Sequence, residues 1–162
     1  MKNRKIIIDC DNTFGIAGCD IDDGLAIIYI LGNAGCDLLG ITTTFGNNSA
    51  DVIYLNTVGF VKNIGMPHIP VFRGGTKDGE ANMAAKFLVK MVNLYPGKVS
   101  VLATGSLTNL YEAWKLDNEF YEKVSEISLM GGITEPLKIN GRILNELNFS
   151  CDYQAAYNVL TM

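Results

Sequence analysis

Residues 6–24 read IIIDCDNTFGIAGCDIDDG. An isoleucine run (Ile6, Ile7, Ile8) ends in Asp9 and Asp11, and a second acidic pair, Asp22 and Asp23, opens the apolar segment that follows. A short β-branched run closed by polar residues is a buried strand, and a longer apolar segment opened by Asp is the start of a helix. With Asp20, five carboxylates fall between that strand and that helix. Crowded carboxylates repel one another, and a bound cation resolves the repulsion. Oxygen-only donors suit a hard ion, calcium or magnesium, rather than zinc or copper. The plainer role for Asp22 or Asp23 is to cap the helix and complement its dipole.

The same alternation runs outward along the chain. Strands are expected at 5–9, 38–44, 69–72, 99–103 and 126–130. Helices are expected at 22–32, 49–64, 81–94, 107–114 and 152–160. Gly65-Met66-Pro67, Gly74-Gly75 and Tyr95-Pro96-Gly97 supply breaks. Strand–helix alternation of this kind builds an α/β fold with a doubly wound, mostly parallel sheet, whose ligand crevice opens at the strands' carboxyl ends. Residues 1–162 form one domain, without repeat or linker. Two segments stand outside the alternation: the glycine-containing insert 12–21 and a long loop, 135–148, rich in Asn and Glu. Both are expected to carry function, as loops at strand ends do. Near a strand end alternate residues point differently, so Asp11 is expected in the crevice and Asp9 on neighbouring backbone.

Composition narrows the partners. The chain is 48% apolar and 19% charged with net charge −4, which suits a packed domain and argues against nucleic acid. The longest apolar stretch, 25–31, is far short of a membrane span. An amino terminus that reaches Asp9 after three isoleucines has no signal-peptide core, so a cytoplasmic location is expected. Cys10, Cys19, Cys36 and Cys151 make no C-x-x-C pair and read as reduced thiols.

Two families open with residues of this kind. DCDNT after a hydrophobic strand resembles the first motif of haloacid-dehalogenase-type phosphatases, which implies Asp9 as nucleophile, Asp11 as acid/base and magnesium. A strand ending D-x-D followed by a helix-opening D-D pair resembles the nucleoside hydrolases. Their spacing is the compact D-x-D-P-G-x-D-D; residues 12–21 depart from it and leave Asp20 as a rival to Asp11. Later segments follow the second family in order. GITTTFGN (40–47) resembles its second strand, MPHIPVFRGG (66–75) its third, and LATGSLTNL (102–110) its T-G-x-L-T-N motif. SLMGG (128–132), then Asn140 and Glu146-Leu147-Asn148, resembles its ribose grip. Each has a local reading too: a Gly46-Asn47 turn, a helix N-cap at Ser106 or Thr108, an Asn140-Gly141 hairpin turn.

The resemblance implies a calcium-assisted hydrolase of the N-glycosidic bond of ribonucleosides. Asp11 would be general base and ligand, Asp23 a bridging ligand and Asp22 a further metal residue, with Thr104 offering its carbonyl. Asn47, Asn140, Glu146 and Asn148 would bind sugar hydroxyls, and Asp9 would support the ligands from behind. His68, on the run into the third strand, reads as a loop residue. Members of the family are longer, and their second half supplies a final Asp ligand and a His near the leaving base, for which no residue here stands. A chain lacking them is expected to show little or no nucleoside hydrolysis alone, and to form a homo-oligomer or pair with a complementing polypeptide. A non-catalytic ribose- or nucleoside-binding module is the remaining alternative.

Overall fold

The isoleucine run forms β1 (Arg4–Cys10), whose side chains are buried from Ile6 onward. Alternate residues of a strand face opposite sides of its sheet, and here each side has its own core. Ile7 packs with Leu88, Val92, Leu110 and Phe120 on one face. Ile6 and Ile8 pack with Ile27, Ile30, Phe60 and Val61 on the other. In this computed structural model, which describes residues 3–75, 82–139 and 141–162, β1 is the centre of a five-stranded parallel sheet. The other strands are β2 (Cys36–Thr43), β3 (Val71–Arg73), β4 (Val99–Ala103) and β5 (Glu126–Leu129). Their spatial order is β3-β2-β1-β4-β5.

Helices cover both faces, as a parallel sheet requires. The Ile6/Ile8 side carries α1 (Asp22–Gly32) and α2 (Ala50–Asn63). The Ile7 side carries α3 (Met83–Leu94), α4 (Thr108–Leu116), α5 (Phe120–Lys123) and, beyond the short α6 (Asn148–Cys151), α7 (Tyr153–Thr161). The strand order reverses between β1 and β4, since the chain first builds outward through β2 and β3 and then returns to β1's other side. Loops leaving the carboxyl ends of β1 and β4 diverge there and open a crevice.

Several expectations are revised. The loop expected at 135–148 contains an antiparallel hairpin, β6 (Leu137–Ile139) and β7 (Arg142–Leu144), whose turn includes Gly141 at φ 78°. Its strands are too short to show a period of two in the sequence. The third strand begins two residues later than expected, because Pro70 has no N–H to give the ladder, although its carbonyl accepts from Ile41. Neither Ser106 nor Thr108 caps α4; their hydroxyls bond Thr44 and Asp152 instead. Nor do Asp22 and Asp23 cap α1, whose cap position is Ile21.

Candidate active site

Asp9, the penultimate residue of β1, has no exposed surface, and its Oδ1 accepts from Thr42 Oγ1 at 2.6 Å and Asn109 Nδ2 at 2.7 Å. Asp9 was expected to hold neighbouring backbone; side chains from β2 and α4 hold it instead. The Asn109 amide also donates to the Thr43 carbonyl at 3.0 Å and accepts from Asn82, the N-cap of α3, at 2.9 Å. One buried amide thus ties together two strand ends and the starts of two helices. A carboxylate committed to two side-chain bonds in this way is placed as a support, whereas the phosphatase alternative needs it free as a nucleophile.

Asp11 lies just beyond β1 and is 1% exposed. Its Oδ2 accepts from the Asn47 backbone N–H at 2.6 Å, so the Gly46-Asn47 turn clasps it. Gly46 and Gly105 approach so closely that no side chain fits at either position. A Cβ on Gly46 would sit 2.2 Å from Asp11 Oδ2, and one on Gly105 would sit 2.6 Å from Thr44 Cγ2 and 3.1 Å from Asp11 Oδ1. Asp23, in the first turn of α1 and 4% exposed, neighbours Asp11, and the two carboxyls act on each other's ionisation. Asp22 is exposed at the mouth, and its charge is felt by both.

Four buried oxygen atoms around this point have no hydrogen-bond partner: Asp9 Oδ2, Asp11 Oδ1, Asp23 Oδ1 and Thr104 Oγ1. Buried polar atoms are ordinarily satisfied, and unpaired ones cost free energy. The strain shows in the ionisation of the carboxyls. Burial pushes Asp9 up to about 7 against the opposing bonds from Thr42 and Asn109, with some help from the charge of Asp11. Burial likewise raises Asp11, against the Asn47 N–H. It raises Asp23 too, against the neighbouring Thr104 hydroxyl and aided by repulsion from Asp11 and Asp22. A hard cation would satisfy these oxygens, and the donor chemistry fits one. Among the described residues no three acidic, histidine or cysteine side chains converge into a complete cage.

Above the carboxylates lies a cleft of about 230 Å³ lined by Asp20, Asp22, Asn47, Thr104, Met130, Ile133, Glu146 and Asn148, among others. Seven of the eight expected site residues are therefore brought together: Asp22, Asn47, Thr104, Glu146 and Asn148 in the lining, Asp11 behind Asn47, and Asp23 beside Thr104. Asn140 lies outside the described residues. Asn148 is buried, and its Nδ2 donates to the Thr104 carbonyl at 2.9 Å and the Met130 carbonyl at 2.8 Å. Glu146 receives the N–H groups of Gly132, Phe149 and Ser150, and the Ser150 hydroxyl. Burial pushes this carboxyl up, but those donors outweigh it and hold it below the usual range. His68 is exposed ahead of β3, at the sheet's opposite end.

A larger groove of about 430 Å³ lies between the insert and α2, lined by Phe14, Leu55, Asn56, Gly59 and Phe60. The Asn56 amide there is engaged by the carbonyls of Asn12 and Phe14, so the groove backs the insert and leaves the carboxylates to the cleft. Sequence alone does not single out Thr42, Asn82 or Asn109, nor the two glycines against Asp11. The G-x-x-x-N spacing of Gly105 and Asn109 carries the signal, but only the folded register shows which aspartate each one meets.

Comparison with known proteins finds relatives in sequence and in structure. A probable uridine nucleosidase from Arabidopsis thaliana is 32% identical over an alignment 190 positions long, gaps included, covering 98% of this chain and 56% of the relative. The solved structure of a plant nucleoside hydrolase superposes with a TM-score of 0.79 at 26% identity, over 98% of this chain and 57% of that one. A purine-preferring ribonucleoside hydrolase from Gardnerella vaginalis gives 0.77 at 28% identity, over 94% and 56%. The chain thus spans about half the length of the relatives it matches. The family model for inosine-uridine preferring nucleoside hydrolases matches residues 6–162, and the chain belongs to that family.

Proposed function

We propose that the crevice is the site of an N-ribosyl hydrolase, which cleaves the N-glycosidic bond of ribonucleosides to ribose and free base. The observation that carries this reading is the group of four unpartnered buried oxygens at the switch point of a nucleoside-hydrolase fold. Asp11, Asp23 and the Thr104 oxygens would hold calcium, with Asp22 at the mouth. Bound there, the ion would polarise a water and fix the sugar diol.

The chain's own groups do the rest. Asp11, its carboxyl held up by burial, takes the proton of the attacking water. The bond to the base breaks through an oxocarbenium-like sugar, as in other glycoside hydrolysis. The carboxylates beneath the cleft favour that developing positive charge. Asn47, Glu146 and Asn148, together with Asn140, take the sugar hydroxyls. A site that hydrogen-bonds hydroxyls rejects sugars lacking them, because its buried groups are then left unpaired. Asp9 supports Asp11 and Thr104 from behind, the latter through the Thr104 N–H to Asp9 carbonyl bond of 2.8 Å.

Two wider expectations belong to the same proposal. A cytoplasmic location is supported by free thiols at Cys10, Cys19 and Cys36, and no described helix is long and apolar enough to cross a membrane. Self-association, or pairing with a second polypeptide, is supported by the exposed Tyr153, Tyr157 and Leu160 along α7. The deciding assay follows ribose release from inosine and uridine in calcium and in chelator, alongside calcium titration. Calcium binding together with chelator-sensitive release supports the hydrolase. Calcium and nucleoside binding with no release supports a binding module, and release indifferent to both chelator and Asp11→Ala overturns the assignment of the site.

A further inference from the structure

We infer that the amino end of the sheet carries a second binding site, for a phosphate-bearing ligand with a flat ring, of the kind a nucleoside monophosphate provides. The site stands at the far end of β1 from the cleft and does not rest on the hydrolase reading. A cavity of about 720 Å³ opens there, lined by Asn3, Arg4, Lys5, Asp37, Tyr95 and Lys98. Small-molecule sites commonly measure roughly 300–1,000 Å³. Three cations meet one carboxylate in this lining, in a chain whose net charge is −4. β1 thus starts among bases and ends among the aspartates of the floor. Charge polarised along the strands draws an anion to the amino end and away from the cleft.

Three elements build the cavity. Lys5 lies two residues before Ile7 and shares its face of the sheet, the face that α3 covers. α3 ends at Leu94, and the next residue, Tyr95, sets its ring 4.6 Å from the Lys5 ammonium. Asp37, the partner of Lys5 in the β1–β2 ladder, accepts from the same ammonium at 2.7 Å. The turn Tyr95-Pro96-Gly97-Lys98 is closed by the Lys98 N–H on the Tyr95 carbonyl at 3.0 Å, with Gly97 at φ 67° as a Pro-Gly turn requires. Its Gly97 N–H donates to the Lys123 carbonyl at 2.8 Å, which anchors it. A fixed turn therefore delivers a half-exposed ring and an ammonium to one cavity.

Donors remain for a ligand. Arg4 meets Glu126 through Nη1 alone, at 3.1 Å and from an exposed side chain, so most of its five-donor fork is open. A guanidinium fork matches phosphate oxygens. Lys98 forms no ion pair among the described residues. Lys5, held by Asp37 and Tyr95, adds charge without a search for position. α1 and α3 also end on this side with no basic residue in their last turns, so nearby cations offset their carbonyl ends. That role needs neither a cavity nor an aromatic wall.

Heteronuclear NMR titration of the full chain in calcium-free buffer, with uridine 5′-monophosphate, uridine and inorganic phosphate, tests this. The nucleotide should shift the amides of Arg4, Lys5, Asp37 and Lys98 saturably, phosphate should shift them with weaker affinity, and uridine should leave them unmoved. Lys98→Ala should weaken nucleotide binding about fivefold, the factor a unit charge a few ångströms away is worth in water. Tyr95→Leu should bring the nucleotide down to the affinity of phosphate. Lys86→Ala, towards the other end of α3, should change nothing. Thermal melts check that each variant folds. Shifts confined to Asn47 and Asn148 in the cleft, phosphate bound as tightly as the nucleotide, or a response indifferent to Lys98→Ala overturns the inference and leaves the hydrolase reading standing. A lower melt in Lys98→Ala with no response to any probe overturns it too, and assigns the cations to the helix ends alone.

Discussion

The floor and the rim of the cleft are both acidic, and they treat their carboxylates in opposite ways. On the floor, Asp9, Asp11 and Asp23 are buried, raised in pKa and each left with an oxygen that bonds nothing. On the rim, Glu146 collects five hydrogen-bond contacts from Gly132, Phe149 and Ser150 and is lowered. A satisfied carboxylate stabilises the fold that surrounds it. An unsatisfied one weakens the fold and holds its capacity for a ligand. The floor is therefore where function is expected to oppose stability, and the rim is where the two run together.

The largest expected effect separates Asp11 from Asp9. Asp11→Asn removes a buried charge whose neighbour Asp23 repels it, so the calcium-free protein should become more stable by about 1–3 kcal/mol. On the proposed reading, in which Asp11 is a calcium ligand, the same change should weaken calcium binding by about a hundredfold or more. Asp9→Ala should do the reverse. It strands the donors of Thr42 and Asn109 in the core, at about 1–3 kcal/mol for each unsatisfied group, with a smaller loss of calcium affinity. Urea melts and calcium titration read both quantities. Equal calcium loss with unchanged stability in the two variants would erase the distinction between ligand and support.

The pH dependence should also split the two regions. A carboxyl whose folded pKa is raised lends stability that is full below its unfolded pKa and lost as pH climbs through the folded value. For Asp9 that window runs from the ordinary carboxylate range to about 7, and Asp11 and Asp23 act in the same direction. Glu146 is lowered, so its contribution is present above its unfolded pKa and is lost as pH falls through the folded one. In chelator, stability should fall by a few kcal/mol between about pH 5 and 7.5, since each tenfold difference in proton affinity between folded and unfolded chains is worth about 1.4 kcal/mol. Saturating calcium should abolish that fall. A midpoint that is level or rises over this range without calcium would mean the floor is already satisfied.

What the sequence displayed follows from the range of each interaction. The β1 run and its closing aspartates were legible because burial and alternation are local: strand 99–103 and helix 22–32 fall where expected. The grouping of Asp11, Asp23 and Thr104 was legible because parallel strands deliver their carboxyl ends to one edge of the sheet. The grip of Asn109 on Asp9 was not, for it spans a hundred positions in the chain and depends on the register of α4 over β1. The hairpin at 137–144 stayed hidden behind strands of three residues. Glu146 and Asn148 line the cleft, and their bonds to backbone were invisible until the loop had a shape.

A smaller effect is expected where the backbone presses on the floor. Gly105→Ala would set a methyl group against Thr44 and Asp11, both anchored in the core. Over-packing of this sort costs about 1–3 kcal/mol, and here it should appear as calcium affinity lowered by about tenfold, because Asp11 must turn to make room. Gly59→Ala, on α2 with open space around it, is the control: it should leave calcium affinity unchanged and raise stability by about 0.5–1 kcal/mol, as alanine does over glycine inside a helix. An Ala at position 105 that leaves calcium binding intact would show that Asp11 has freedom the packing denies it.

The smallest expected effect tests whether floor and rim are coupled at all. Glu146→Gln keeps one acceptor oxygen but loses the charge that strengthens its bonds to Phe149 and Ser150. Charge-assisted bonds are roughly twice as strong as neutral ones, so the loss should be about 1 kcal/mol, or a melting temperature lower by about 2–4 °C. Those bonds hold the first turn of α6, where Asn148 begins and reaches to the Thr104 and Met130 carbonyls. Thr104 is thus a residue that both regions touch. If Asn148 keeps its place through its own two bonds, calcium affinity should be unchanged in Glu146→Gln while stability falls. A parallel loss of calcium affinity would show instead that the rim sets the Thr104 carbonyl, and that satisfying Glu146 is part of what prepares the floor for its ion.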